Sequence, residues 1–197
     1  MDHAGGAKPV ELNPGPETKR QGWVLLLLRL LALFAAVSAT LVMALDKETK
    51  TIVVATVGTT QVTAALTAKF QHTPAFVFFV IVNGIASFHH LVILIADLLA
   101  YKLDFNGFRP LIITILDMGT VALVSSGLGA ATAMAELGQN GNSHARWNKI
   151  CDKFETFCDH GRGALIASFI GLGLLMFLNL LSMVTLFKKT KKYLVVP

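Results

Sequence analysis

Two charged residues, Arg29 and Asp117, each lie within a long run of apolar residues. Arg29 lies within residues 23–45, and Asp117 lies within residues 110–135. Each run exceeds the roughly 20 residues that a helix needs to cross a bilayer. A lone charge at mid-membrane costs roughly 2.5–3.5 kcal/mol, so such residues usually face the protein interior and pair. Arg29 and Asp117 are therefore predicted to form an ion pair between membrane-spanning helices.

The composition of the chain is that of an integral membrane protein. Hydrophobic residues make up 54% of the 197 positions and charged residues only 15%, with a mean hydropathy of +0.62. A soluble domain would carry about 25% charged residues. The apolar residues form continuous blocks and lack the alternation that is typical of outer-membrane barrel strands. We therefore predict an all-α bundle of four transmembrane helices, at residues 23–45, 74–100, 110–135 and 163–187.

The segments outside these spans have distinct compositions. Residues 1–22 are rich in glycine and proline and show no apolar pattern, which predicts a disordered tail. Residues 188–197 form a basic tail. Residues 46–73 and 136–162 form two loops on the other side of the membrane. Within the first of these loops, residues 51–67 allow either a short strand pair or an outward extension of the first helix, and the sequence does not decide between them.

The basic residues predict that both termini are cytoplasmic. Lys19, Arg20 and the lysines of residues 188–192 directly adjoin membrane spans on the side of the termini, as the positive-inside rule requires. Cys151 and Cys158 lie in a loop on the opposite side, where an oxidising compartment permits a disulfide. The first span could also be a signal peptide, because residues 37–39 loosely resemble a small-residue cleavage site. A retained helix is favoured, because the run continues well past that point and Arg29 would lie inside the apolar core that a signal peptide needs.

This topology places Arg29 and Asp117 at the same depth. Helices one and three run in the same direction, and Arg29 lies six residues after Trp23 while Asp117 lies seven after Pro110. At 1.5 Å per residue, both lie roughly 9–10 Å into the bilayer from the cytoplasmic face. A bidentate pair is then feasible. The alternative is that Arg29 extends to the headgroups while Asp117 is protonated or binds something else.

Other polar residues in the spans suggest a second interpretation. Asp97, His89 and Asn179 could form a polar layer around the predicted ion pair. A chain of Asp, His and Arg allows a proton or ion pathway, whereas interhelical hydrogen bonding is the commoner role of such residues. A small channel or transporter that uses Asp97, His89 and Asp117 is therefore the alternative function.

The cysteines test the structure of the second loop, where residues 147–158 show an amphipathic helical pattern. In a continuous helix the Cα atoms of Cys151 and Cys158 would lie about 10.5 Å apart. A disulfide usually needs about 4.4–6.8 Å. The disulfide and an unbroken helix therefore exclude one another. The sequence favours the disulfide with a broken or bent helix, because the compartment favours oxidation.

Small residues recur every four positions on helices three and four. This spacing lets helix backbones approach closely, either inside the bundle or between protomers. The residues are Ala122, Ser126 and Ala130, Ser125, Gly129 and Ala133, and Gly163, Ala167 and Gly171.

The chain contains no His-Glu-x-x-His, Gly-x-Ser-x-Gly or P-loop motif. We therefore expect no catalytic residues, no cofactor, no metal site and no nucleic-acid partner.

The chain resembles the Casparian strip membrane protein family of land plants, and specifically its CASP-like branch. The matching stretches are LLLLRLLAL in helix one, TILDMG in helix three, FQHTPAFVFFVIVNGIASFHHLVIL entering helix two, and WNKICDKFETFCDHGRGALIASFIG before and within helix four. In the family the helix-one Arg and the helix-three Asp are the hallmark pair, which corresponds to Arg29 and Asp117.

The resemblance implies a multi-pass protein of the plasma membrane without enzyme activity. It implies a scaffold that forms homo- and hetero-oligomers with related family members in the lipid bilayer and organises membrane domains. Cell-wall enzymes are implied partners, because strip-forming members guide wall modification beside the membrane. Those members carry an aromatic-rich motif in the first outer loop, which is absent from residues 46–73. A general scaffold role is therefore predicted, rather than a role at the Casparian strip itself.

Overall fold

The computed structural model describes residues 16–99 and 109–194, which form four long helices, a two-stranded β-hairpin and a 3-10 turn. All four helices are long and apolar enough to cross a membrane. The prediction of a four-helix transmembrane bundle is therefore confirmed. In chain order the elements are α1 (Pro16–Leu45), β1 (Lys47–Val57), β2 (Thr60–Lys69), the 3-10 turn Phe70–His72, α2 (Pro74–Leu99), α3 (Arg109–Asn140) and α4 (Glu155–Leu194).

The first helix begins earlier than the sequence predicted. Residues 16–22, which were predicted as part of the tail, continue α1, while the rest of the predicted tail, residues 1–15, lies outside the described residues. The apolar span within α1 starts at Gly22. Hydropathy therefore identified the part of α1 that can lie in lipid, while backbone hydrogen bonding extends the helix beyond it.

The second loop is shorter than predicted, because α3 continues to Asn140 and α4 begins at Glu155. The predicted loop 136–162 is thereby reduced to residues 141–154. Part of the predicted basic tail, residues 188–194, is also helical. At 1.5 Å per residue, a helix of 40 residues is about twice the thickness of the hydrocarbon core, so α4 extends beyond it.

The end of α3 is set by Gly141. Its φ of +68° is the left-handed conformation that commonly follows a helix, and its N–H donates to the Leu137 carbonyl at 2.9 Å. A Cβ atom at this position would lie 2.7 Å from the carbonyl oxygen of Trp147. Glycine is therefore required both by the backbone conformation and by the close approach of the loop.

The four helices pack as a ring in which each helix contacts mainly two others. Helices α2 and α4 both lie between α1 and α3, so α1 and α3 are diagonal partners, as are α2 and α4. We call the end that carries β1 and β2 the hairpin end, and the end that carries Pro16 and Leu194 the terminal end. The main core lies towards the hairpin end and includes Met43, Phe79, Leu128, Phe157 and Leu165.

Residues 46–73 form the strand pair that was one of the two predicted alternatives. β1 and β2 pair antiparallel from Lys47↔Lys69 to Val57↔Thr60, with an irregularity at Val54. The connecting loop begins with Gly58, whose φ of +62° suits a two-residue hairpin turn. The hairpin is tied to the bundle because a Glu48 carboxylate oxygen accepts a hydrogen bond from the Phe157 N–H, at 2.8 Å, in the first turn of α4. A carboxylate is favourable there because helix N-termini carry partial positive charge.

Candidate functional site

Arg29 and Asp117 meet across the centre of the bundle. Arg29 Nη2 donates to Asp117 Oδ2 at 2.7 Å, and Nη1 donates to Oδ1 at 3.2 Å. The two side chains are 6% and 1% exposed. This bidentate geometry uses the planar guanidinium as a fork on the carboxylate. Since α1 and α3 are diagonal partners, the pair joins two helices that pack mainly against the other two.

His89 adds a third helix to this cluster. His89 Nε2 lies 2.8 Å from Asp117 Oδ1, so the carboxylate has partners on both α1 and α2. His90, the next residue, is fully buried, and neither ring nitrogen has a hydrogen-bond partner among the described residues. Asn179 on α4 is also buried, and its Nδ2 atom likewise has no partner within the described part of the chain. The contacts of the cluster therefore join α1, α2 and α3, and the contact of Asn179 with the predicted polar layer stays a prediction.

Asp97 does not bind the central cluster. Its carboxylate instead accepts a hydrogen bond from Arg109 Nη2 at 2.8 Å, and the two side chains are 36% and 30% exposed. Asp97 was predicted to join the polar layer from its depth in the membrane alone. The residue that pairs with it is Arg109, at the start of α3.

A second polar contact crosses the other diagonal, nearer the hairpin end. Ser168 Oγ on α4 donates to Asn83 Oδ1 on α2 at 2.9 Å, and Asn83 Nδ2 donates to the Phe79 carbonyl at 3.0 Å. Both residues are about 1% exposed. Ser168 could not be singled out from the sequence, because an isolated serine in a transmembrane helix usually bonds to its own backbone. The two polar diagonals together fix which helices face each other.

An apolar layer lies between the two polar diagonals. It consists of one buried residue from each helix: Ala36, Ala86, Val124 and Leu175. Along α2, Ala86 lies between Asn83 and His89, and along α3, Val124 lies on the hairpin side of Asp117. The polar groups of the two diagonals are therefore separated by packed hydrocarbon.

Cys151 and Cys158 form a disulfide with a Cα–Cα distance of 5.6 Å. Cys151 lies in a turn before α4, and Cys158 lies in the first turns of α4. Residues 147–158 are therefore not one continuous helix. The chain breaks between the two cysteines, as the disulfide alternative requires.

Acidic residues at the junction of α1 and the hairpin have shifted pKa values. Burial raises the pKa of Asp46. The hydrogen bond between Asp46 and His160 Nδ1, 3.1 Å long, lowers this pKa and partly offsets the effect of burial. The pKa of Glu48 is lowered by its contact with Lys50, 2.8 Å away, and further by the N–H of Phe157. Glu48 thus stays ionised where it holds the N-terminus of α4. Within residues 16–99 and 109–194, no three His, Cys, Asp or Glu side chains cluster as metal ligands would.

These features define the chain as a four-helix membrane protein with a buried Arg–Asp pair between its first and third helices. The chain matches the Casparian strip membrane protein domain over residues 18–174 and belongs to this family. The resemblance noted from the sequence is thereby confirmed.

The chain is similar to several CASP-like proteins of land plants. It is 65% identical to "CASP-like protein 1B2" of Populus trichocarpa over 176 residues, which cover 89% of this chain and 87% of the relative. It is 62% identical to "CASP-like protein 1B1" of the same species, over 90% of this chain and 91% of the relative. It is 52% identical to "CASP-like protein 1B2" of Arabidopsis thaliana, over 88% of each chain. No solved structure matches the chain.

Proposed function

We propose that this protein is a non-enzymatic scaffold of the plasma membrane that oligomerises with itself and with related family members. In this role it organises membrane domains and guides local cell-wall modification by wall enzymes. The observation that carries the proposal is a face of small residues on α3 that points away from the bundle. Ala122, Ser125, Ser126, Gly129 and Ala133 are all exposed on this face.

The exposed face differs from the rest of the lipid-facing surface, which carries large side chains such as Phe34, Phe88 and Phe177. The Ser125 and Ser126 hydroxyls donate to carbonyls of their own helix, at 2.7 and 2.8 Å, which leaves the face without free donors. A flat face of small residues allows a second helix to approach closely, so that van der Waals contact stabilises the pair. This supports helix–helix contact between protomers through α3.

The packing at the centre of the bundle favours a scaffold over a channel. A conducting pathway would have to connect the Arg29–Asp117 level with the Asn83–Ser168 level, and the buried layer around Ala86 and Val124 lies between them. The alternative is favoured by the nitrogens of His90 and Asn179 that have no partner within residues 16–99 and 109–194, since polar residues in membranes often line proton pathways. Flux in proteoliposomes that depends on His89 and Asp117 would support the channel or transporter instead.

Substitution of Gly129 tests the oligomer. A Cβ at Gly129 meets nothing within 4 Å in the monomer, so Gly129→Leu should fold normally and block a close helix contact. We expect purified wild-type protein in lipid discs to show masses above that of a monomer, and Gly129→Leu to shift most of the population to the monomer. Gly173→Leu is the matched control, since Gly173 on α4 is equally open. A monomeric wild type, or an oligomer unaffected by Gly129→Leu, would contradict the proposal.

The proposed orientation places both termini in the cytoplasm and the hairpin towards the wall. It is supported by Lys188 and Lys191, which are exposed where α4 leaves the apolar span. The hairpin then presents β1 and β2 to wall enzymes. Val53 and Val57 on β1 are exposed, and the sequence carries no charge between Lys50 and Lys69.

Thiol labelling of intact cells tests this orientation together with the disulfide. Because Cys151 and Cys158 are the two cysteines of the sequence, a membrane-impermeant maleimide should label the protein only after an impermeant reductant is added. A Lys191→Cys variant should gain a label only when the cells are permeabilised. Labelling of Cys151 and Cys158 without reductant would show that the thiols are free. If Cys151 and Cys158 were labelled after reduction only in permeabilised cells, the orientation would be the reverse of the one proposed.

A further inference from the structure

A cavity of about 610 Å³ lies at the hairpin end, between the ends of the helices and the α3–α4 loop. Its volume falls within the range of small-molecule sites, roughly 300–1,000 Å³. All four helices contribute to its wall, together with both cysteines of the disulfide. The apolar part of the wall includes Met43, Phe76, Met134, Trp147, Phe157 and Leu165.

The loop that covers the cavity is held in place at several points. Asn142 and Trp147 pair through two backbone hydrogen bonds of 2.9 Å. The Ile150 N–H donates to the Gly138 carbonyl at 2.9 Å, and the disulfide joins Cys151 to α4. The cavity is therefore preformed, which reduces the entropic cost of binding.

The charged residues of the wall are two arginines and one glutamate. Arg146 and Arg162 line the cavity, and Glu136 lines it as well. Arg162 Nη1 lies 3.5 Å from Asp159, whereas Arg146 makes no ion pair within the part of the chain that the structure describes. Glu136 accepts a hydrogen bond from Asn140 in its own helix. Two exposed guanidinium groups thus adjoin a hydrocarbon-lined space next to the membrane.

The backbone at Arg146 gives a second reason to assign a role to its side chain. Arg146 has a φ of +56°, the left-handed conformation that favours glycine and asparagine, and it is the last residue of the turn between Asn142 and Trp147. Glycine would adopt this left-handed conformation at lower energetic cost than arginine. The backbone therefore does not account for an arginine at this position, and non-glycine residues in this conformation occur often at ligand sites.

We propose that this cavity binds an anionic amphiphile with a single acyl chain, such as a fatty acid or a lipid that inserts one of its chains. The chain occupies the hydrocarbon-lined space, and the carboxylate or phosphate accepts charge-assisted hydrogen bonds from Arg146 and Arg162. The surrounding bilayer supplies such molecules directly to this level of the bundle. A neutral amphiphile of the same length would fill the space but offer no anionic group to Arg146 and Arg162.

Tryptophan fluorescence allows a direct test, because the sequence contains only two tryptophans. In a Trp23→Phe background, Trp147 in the cavity wall is the remaining reporter. The purified protein in neutral detergent is titrated with doxyl-labelled stearic acid, which quenches nearby tryptophan. We expect saturable quenching that unlabelled stearic acid reverses and stearyl alcohol does not. Doxyl-labelled phosphatidylglycerol and phosphatidylcholine, titrated separately, distinguish a phosphodiester lipid from the free acid.

Arg146→Gly is the decisive variant, because glycine suits the backbone conformation and should preserve the loop. We expect the midpoint of quenching to rise at least tenfold, the change typical of losing about 1.4 kcal/mol of binding free energy. Lys153→Ala, in the same loop but outside the cavity wall, should leave the midpoint unchanged. An unchanged midpoint in Arg146→Gly, equal competition by stearyl alcohol, or quenching that does not saturate would each overturn the proposal.

Discussion

Replacing Asp117 with leucine while Arg29 remains is expected to destabilise the protein by about 3–5 kcal/mol, the usual cost of leaving a buried charge without its partner. Among the described residues, Arg29 donates two hydrogen bonds, and Asp117 accepts both of them. The Arg29 side chain is only 6% exposed. After the substitution no other described acceptor bonds to it. The free energy of unfolding, measured in lipid discs, should fall by this amount.

Arg29→Leu should cost less than Asp117→Leu. His89 Nε2 lies 2.8 Å from Asp117 Oδ1, so the carboxylate keeps one hydrogen-bond partner when the arginine is removed. This asymmetry follows from the third member of the cluster and could not be expected from an isolated pair. The double variant Arg29→Leu/His89→Leu should therefore lose as much free energy of unfolding as Asp117→Leu.

The double variant Arg29→Leu/Asp117→Leu should recover much of the loss, because no unpaired charge remains and leucine suits the surroundings. The control is the same cycle on Asp97 and Arg109, whose half-exposed side chains should couple by no more than about 1 kcal/mol. If the two single losses at Arg29 and Asp117 simply add in the double variant, the two residues do not interact and our interpretation of the cluster is wrong.

The Arg29–Asp117 contact could be anticipated because a charge inside a bilayer has few alternatives. Depth arithmetic then sufficed to match the two residues. The same reasoning misplaced Asp97, because water and headgroups near the helix ends offer many partners and the energetic constraint is weak. Arg109 was too close to the predicted helix boundary for its side chain to be placed.

Element boundaries and the first loop were harder to predict for a different reason. Hydropathy reports which residues tolerate lipid, and it does not report where hydrogen bonding stops, so the extensions of α1, α3 and α4 were missed. The hairpin could not be identified, because β1 and β2 are exposed along most of their length and neither strand shows an apolar–polar alternation. The approach of Glu48 to α4 depends on the folded chain and has no local signal.

The glycines of α3 show most clearly what spacing alone could not resolve. Gly127 and Gly129 lie two residues apart and face opposite ways. A Cβ at Gly127 would clash with Val82 Cγ2 and lie 3.5 Å from the Cα of Phe79, whereas a Cβ at Gly129 would meet nothing within 4 Å. Gly127 therefore allows close packing inside the bundle, whereas Gly129 remains available for contact with a helix of another protomer.

Gly127→Ala is therefore expected to lower the free energy of unfolding by about 1–3 kcal/mol, the usual cost of overpacking a core. Val82 cannot easily move aside, because it is 1% exposed and its branched side chain has few rotamers in a helix. This loss should appear even though alanine favours the helix over glycine by about 1 kcal/mol. Unfolding in lipid discs of the two single alanine variants, at Gly127 and Gly173, measures the difference.

Gly173→Ala is the control and should be neutral or slightly stabilising, because Gly173 on α4 is open and lies outside the proposed contact face of α3. Val82→Ala removes the clashing Cγ2 atom, and the remaining contacts of a Cβ at Gly127, 3.5 Å to Phe79 Cα and 3.6 Å to Val82 Cβ, are ordinary. The variant Gly127→Ala/Val82→Ala should thus be more stable than the sum of the single losses predicts, because the new methyl group occupies part of the space left by valine. If Gly127→Ala were as stable as Gly173→Ala, Gly127 on α3 could not lie in close contact with Val82 on α2.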